Sequence, residues 1–313
     1  MIGFGMSVGI RPNKIGKSSA QVTLRPDGGV TARLDMTDIG TGSYTILTQV
    51  AADAMGLPPA AMTIELGNSD FPETTGSGGS LGAGSACSAI YKACVALREV
   101  IAQTAAADAR SPLYRAATSA IVFRDGRATV GNVSESLSDI GARSSPAGLS
   151  AIGTIEPGDT YRRYSQYSYA AYFAEVQVDM DTAEVRARRM LGVFDAGRIL
   201  NAKTARSQLL GGMIWGLSAS LYEEGVIDTR YGSFINHDLA GYHFAANADV
   251  PEIDVVMLDG VDHNSNPVGS KGVGELGICG SGAAIANAIF NATGIRVRSF
   301  PVTLEKILVE LSN

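Results

Sequence analysis

The sequence predicts an α+β fold made of two similar strand–strand–helix units, an internal duplication. Three observations carry this expectation. First, Ala20-x-Val22-x-Leu24 and Ala174-x-Val176-x-Val178 each run through a turn holding Asp27 or Asp181 into a returning strand. Asp38-Ile39-Gly40 or Asp195-Ala196-Gly197 then follows, and after it a helical pattern. Second, strand and helix signals mix without the regular alternation of a parallel βαβ sheet. Third, the 37 glycines gather at 40–42, 76–84, 211–212 and 269–282, and several of these clusters run into helical patterns. The expected division is 1–165 for the first unit and 166–313 for the second.

In chain order, Gln21 to Leu24 alternates, Pro26-Asp27-Gly28-Gly29 supplies turn chemistry, and Val30 to Met36 returns. A helix is expected next, because Ile46, Leu47, Val50, Ala51 and Ala54 share helical spacing, with Ser43 as its N-cap. Asn68 to Ser77 reads as loop. A long helix over Gly84 to Ala107 places Ala86, Ile90, Cys94, Leu97 and Ile101 on one face. A hairpin over Ile121 to Val130 turns on Asp125-Gly126, and Ser134 to Pro157 reads as irregular. The second unit has strands at Ala174 to Val178 and Val185 to Leu191, then a helix with Leu209, Met213 and Leu217 four residues apart. A strand at Ile253 to Leu258 and helices at Ser281 to Ala292 and Thr303 to Leu311 complete the reading.

Composition narrows the function. With 313 residues, 45% apolar and 18% charged, the chain is long and apolar enough for a sizeable core, not a disordered segment. The net charge of −6 and the lack of a basic run exclude nucleic acid as a bulk partner. The opening MIGFGMSVGIRPNK lacks the charged and apolar regions of a leader peptide, and no bilayer-spanning stretch is expected. The compartment stays open between cytoplasm and periplasm. Three cysteines and three histidines, without CxxC or HxxxH, argue against a disulfide framework, an iron–sulfur cluster and a protein-ligated metal within this chain.

Several motifs compete. Gly78-Gly79-Ser80-Leu81-Gly82 fits the GxSxG nucleophile elbow, which needs a strand before the serine and an acid and histidine after it. A loop precedes it here, but His237, His243 and His263 follow, so a serine hydrolase using Ser80 stays as an alternative. Gly272-x-Gly274-x-x-Gly277 mimics a dinucleotide-binding turn without the required strand, and Gly16-Lys17-Ser18 ends like a P-loop without its first glycine. More informative is a glycine loop feeding a long helix, because free N–H groups and the positive dipole end favour an anion. A phosphate-bearing ligand and a plain capping turn both satisfy that pattern. In Gly269 to Gly277, four glycines surround Glu275. The small residues leave room beside this carboxylate, and burial there would favour a general base.

Three segments resemble the molybdenum hydroxylases of the aldehyde oxidase/xanthine dehydrogenase family. These are TDIGTGSYTILTQVAADAMGLP, TTGSGGSLGAGSACSAIYKAC and KGVGELGICGSGAAIANAIFNATGIRVRSFPVT, in the family's order. The resemblance covers nearly the whole chain and is nearest to bacterial aldehyde oxidoreductases. It implies the C-terminal part of the molybdopterin-binding domain, with a molybdopterin cofactor in its cytosine dinucleotide form carrying the metal. By the same resemblance Glu275 is the catalytic base, and Gly78, Gly79, Ser80, Gln208, Lys271, Gly272 and Gly274 contact the cofactor. Gly40, Thr41 and Gly42 match a further cofactor loop, in which Thr41 replaces a glutamine.

The resemblance implies oxidation of aldehydes to carboxylic acids with oxygen from water. A heterocycle is the other substrate class. Electrons would leave through iron–sulfur clusters, with FAD, on partner chains. The family's molybdenum subunits carry an additional N-terminal half, so this chain is expected to be a fragment or one subunit of a split enzyme, inactive alone. A cofactor-free structural or assembly paralogue is the non-enzymatic alternative.

Overall fold

The computed structural model describes residues 1–311. Its opening strand, β1 (Ile2–Pro12), alternates large apolar residues with Gly3, Gly5, Ser7 and Gly9. A two-residue period is a strand signal, overlooked where these residues were weighed only as a possible leader. The expected hairpin follows as β2 (Ser18–Leu24) and β3 (Val30–Leu34), with Gly28 at φ 86° and Asp27 Oδ1 accepting from the Gly29 amide. Next come α1 (Ser43–Met55), β4 (Met62–Leu66) and the long α2 (Gly82–Ala107). Gly42, at φ 85°, caps α1, and Ser43 is its first helical residue rather than the N-cap.

A three-stranded meander, β5 (Val122–Arg124), β6 (Arg127–Val130) and β7 (Val133–Ser136), leads into α3 (Leu137–Ala142) and β8 (Leu149–Ile155). The stretch expected to be irregular is therefore ordered. Ser136 caps α3 by accepting from the Asp139 amide, and Gly153 lets α2 lie on β8, where a Cβ would stand 2.1 Å from the Ala93 nitrogen. Small and hydroxylated residues hid a strand whose pairing is set by tertiary contact. The second half holds α4 (Asp159–Arg163), β9 (Tyr167–Val178), β10 (Val185–Asp195), α5 (Ala202–Leu221), the short ladder β11 (Ile227–Asp228) with β12 (Ser233–Phe234), β13 (Glu252–Met257), α6 (Ser281–Thr293) and α7 (Leu304–Leu311).

Two four-stranded sheets organise these elements, in the orders β4-β3-β2-β8 and β13-β10-β9-β1. Each has an antiparallel central pair, a parallel edge strand reached through a helix, and an antiparallel strand on the other side. In the first sheet the last position is filled by β8; in the second it is filled by β1, from the other end of the sequence. Helices α1 and α2 associate with the first sheet and α5 and α6 with the second. Each sheet has its own buried core, with Leu24, Leu34, Leu47, Ile90 and Leu97 in one and Tyr172, Phe194, Leu209, Met213 and Ile285 in the other. Tyr172 and Phe194 meet edge to face at 5.6 Å, a favoured aromatic geometry.

By length and composition alone the segment Leu276–Thr293 is apolar enough to cross a membrane, a stretch the sequence reading does not single out. Here it is a short turn followed by α6, half of it buried. Its small face packs on glycines: a Cβ on Gly5 would lie 2.1 Å from the Ala284 carbonyl oxygen, and one on Gly3 2.0 Å from that of Ala288.

Candidate functional site

Three helices aim their N-termini into one cleft of about 350 Å³. Thr41 and Ser43 come from the start of α1, Gly82 and Ala83 from the start of α2, and Asn201 and Thr204 from the start of α5. First-turn amides have no partner inside their helix and carry the positive end of its dipole. Asn201 caps α5 through the Thr204 amide, and Asp38 accepts from Tyr44 in α1, whereas α2 has no side-chain cap. Arg198 and Lys271 add positive charge, and among the described residues Glu275 is the only acid lining the cleft. Met36, Ile39, Ile46 and Trp215 form an apolar wall.

The loop before α2 bends sharply, with Gly76, Gly79 and Ser80 at φ 74°, 59° and 61°. This turn faces Ser80 towards Glu275. Its Oγ donates to Glu275 Oε2 at 2.9 Å and accepts from the Glu275 amide at 3.0 Å. Arg11, at the end of β1, pairs with the same Oε2 through Nη2. The Glu275 side chain is 47% exposed. The burial anticipated for this carboxylate is thus not met within the chain itself; an ion pair and a hydroxyl hold it instead.

The glycines around Glu275 serve a different purpose from the one anticipated. A Cβ on Gly272 would lie 2.4 Å from the Ser80 carbonyl oxygen, and one on Gly277 would lie 2.5 Å from that of Leu209. They let the segment pack against the Ser80 loop and α5. In the loops leading into α1 and α2, by contrast, Gly40, Gly76 and Gly78 are open: a Cβ there would meet nothing within 4 Å.

Of the other residues singled out, Thr41, Gly78, Gly79, Gln208, Lys271 and Gly274 line the cleft; Gly40, Gly42 and Gly272 do not. Gly42 packs on Thr204, where a Cβ would stand 2.7 Å from its methyl group. Gln208 Nε2 donates to the Gly274 carbonyl at 2.7 Å, fixing the loop that bears Glu275. Lys271 is nearly buried and pairs with Asp195 at 3.2 Å. Sequence reasoning missed Arg11, Ser270 and Trp215. Arg11 breaks the small–large alternation of β1, a signal available once β1 is read as a strand. Ser270 Oγ and Arg11 Nε are buried without a hydrogen-bond partner.

Among the described residues, no three His, Cys, Asp or Glu side chains converge as metal ligands. No histidine lines the cleft beside Ser80, so the hydrolase arrangement is not assembled. A larger hollow of about 530 Å³, walled in part by Arg186, Tyr222 and His243, lies elsewhere and includes none of these residues.

A family model described as "Molybdopterin cofactor-binding domain" matches residues 1–251. The aldehyde oxidoreductase molybdenum-binding subunit PaoC of Escherichia coli (strain K12) is 48% identical over 311 residues, covering 99% of this chain and 41% of that protein. The 6-hydroxypseudooxynicotine dehydrogenase complex subunit gamma of Paenarthrobacter nicotinovorans is 28% identical over 97% of this chain and 39% of its own length. Among solved structures, quinoline 2-oxidoreductase from Pseudomonas putida 86 superposes with a TM-score of 0.88 at 25% identity, over 100% of this chain and 42% of that one. The chain spans about two-fifths of the length of these relatives.

Proposed function

Since this chain belongs to the molybdopterin cofactor-binding domain family, we propose that it is the cofactor-holding part of an aldehyde-oxidising molybdenum hydroxylase. The observation that carries the reading is the convergence of three helix N-termini on a cleft with a bare glycine loop and an uncapped α2. Such a site suits a ligand with a flat polar body and an anionic phosphate tail. The residues fit the group. Gly78 leaves space at the α2 terminus, Ser270 Oγ lacks a partner, and Trp215 and Ile39 offer an apolar surface for a ring.

When bound, the cofactor supplies the metal and accepts the electron pair. The chain's own part is positional and proton-handling. Ser80 and Arg11 both engage Glu275 Oε2, so the carboxylate cannot swing away. Oε1 is left to take the proton from the attacking water-derived oxygen, the step that makes it a strong nucleophile. Gln208 holds the Glu275 loop through Gly274, and Lys271 pins its start to Asp195. The base is therefore clamped from both sides of its own segment.

We further assign the cytosine dinucleotide form of the cofactor, on the resemblance of the segment beginning Lys271-Gly272-Val273-Gly274-Glu275 to bacterial aldehyde oxidoreductases. Iron–sulfur clusters and FAD belong to partner chains in this reading, as does the rest of the molybdenum subunit. The division 1–165 and 166–313 stands as the proposed plan, with β1 exchanged into the second sheet. The shared strand order and orientation support an internal duplication.

Two measurements test the function. Acid hydrolysis of the assembled enzyme should release cytidine monophosphate in proportion to molybdenum. Glu275→Gln keeps shape and removes basicity, so it should retain molybdenum while turnover of an aldehyde falls by ~10²–10⁴-fold. Full turnover at full metal content would overturn the assignment of the base.

A further inference from the structure

The outer face of β1 is apolar along its whole length. Ile2, Phe4, Met6, Val8 and Ile10 all point away from α6 and are between 48% and 67% exposed. On the neighbouring β9, Tyr169 pairs with Ile10 and Phe173 with Met6, and both are also exposed. A free side chain of this size offers about 150–250 Å², so these seven present roughly 700–800 Å² of contiguous apolar surface. The largest such patch on a typical monomer is about 300–600 Å², and one side of a standard protein interface covers about 800 Å².

The edge of β1 is partly covered by side chains of α6. Asn291 Oδ1 accepts from the Phe4 amide at 2.9 Å, and Asn287 Nδ2 donates to the Met6 carbonyl at 2.9 Å. The face is open. At one end the stripe reaches the cleft: Ile10 adjoins Arg11, which holds Glu275, and the Tyr169 ring lies 5.8 Å from Lys271 Nζ.

We propose that this stripe is the docking surface for the remaining part of the molybdenum-binding subunit, packed face to face on β1 and β9. The inference rests on the reading that this chain is one part of such a subunit. Its matched relatives run to more than twice its length. A neighbour of that size supplies the area needed. Such an occupant also seals one end of the cleft from water, next to Arg11 and Glu275.

The test co-expresses this chain with the part of Escherichia coli PaoC that it does not match, tagged on that part. The wild-type chain should co-purify at one to one. Phe4→Lys with Val8→Lys should weaken the complex at least 100-fold, whereas Ile152→Lys, on the exposed side of β8, should leave it unchanged. On unmutated protein, hydroxyl-radical oxidation of Met6 should fall several-fold in the complex, so a misfolded variant cannot decide the matter.

Absence of a complex, equal binding by the double variant, or unprotected Met6 would each overturn the proposal. So would a wild-type homodimer that the double variant dissolves while the PaoC part stays unbound, because the occupant would then be a second copy. Molybdenum content, read on the same samples, separates this inference from the cofactor reading: a complex that forms without metal counts against the latter alone.

Discussion

Gly5 should not tolerate a methyl group. An added Cβ would sit 2.1 Å from the Ala284 carbonyl oxygen and 2.3 Å from the Ala288 nitrogen, both backbone atoms of α6. Heavy atoms are comfortable from about 3.5 Å, so the helix must retreat by roughly 1 Å. Overpacking of this kind costs about 1–3 kcal/mol. Loss of glycine's freedom in the unfolded chain offsets about 0.4–1 kcal/mol, since the Gly5 backbone is already extended. Gly5→Ala should therefore lose roughly 1.3 kcal/mol. With a urea slope of about 3 kcal/mol per molar, its unfolding midpoint, followed by circular dichroism, should fall by roughly 0.4 M. Gly211→Ala is the control: it lies within α5 with nothing within 4 Å of an added Cβ. It should gain up to about 1 kcal/mol. If Gly5→Ala is as stable as the parent, the close seating of α6 on β1 is wrong.

Other outcomes follow from groups away from the cleft. Arg143 bridges buried Glu135 at 2.5 Å and Asp108 at 2.9 Å, so Arg143→Met should cost about 3 kcal/mol in urea unfolding by leaving Glu135 without its cation. Arg110, then Arg143, hold the Asp108 carboxyl well below the usual range. Its stabilising contribution is present above about pH 4 and is lost as pH falls towards the folded-state value, so acid unfolding should begin at a higher pH in Arg143→Met. Burial pushes the Cys87 and Cys94 thiols up to about 12; it raises the Cys279 thiol as well, but that residue is exposed to reagent. A thiol reagent at pH 8 should thus label only Cys279 in the native chain and all three cysteines in denaturant, and labelling of Cys87 without unfolding would contradict the packing of α2.

The hairpins and long helices were legible because their signals are local. Asp27-Gly28 and Asp125-Gly126 announce turns, and Ile90, Cys94 and Leu97 announce a buried helix face. Much of the candidate site was legible too, but only through motif resemblance. Nothing in the spacing around Ser80 says that its hydroxyl meets Glu275, 195 residues away. Likewise β8 and β1 were missed because partners distant in sequence decide their pairing. The alternation in β1 was present, yet its outward residues are the apolar ones, the reverse of the usual strand facing water. The glycines beside Glu275 stand out in the sequence, but their contacts do not: they accommodate Ser80 and α5, which no one-dimensional pattern reveals.

The exchange of β1 into the second sheet has a consequence during synthesis. Ile2 pairs with Gln177, and Pro12 with Tyr167. At about 5–20 residues per second, a ribosome needs on the order of 10–30 s between making β1 and making the strand beside it. Throughout that interval five large apolar side chains stand on a strand whose neighbour in the sheet is not yet made, a target for chaperones and for aggregation alike. The first sheet, complete by Ile155, can form meanwhile. Nascent-chain arrest at about residue 160 should accordingly yield a protease-resistant core that begins after β1, with β1 itself still cleavable.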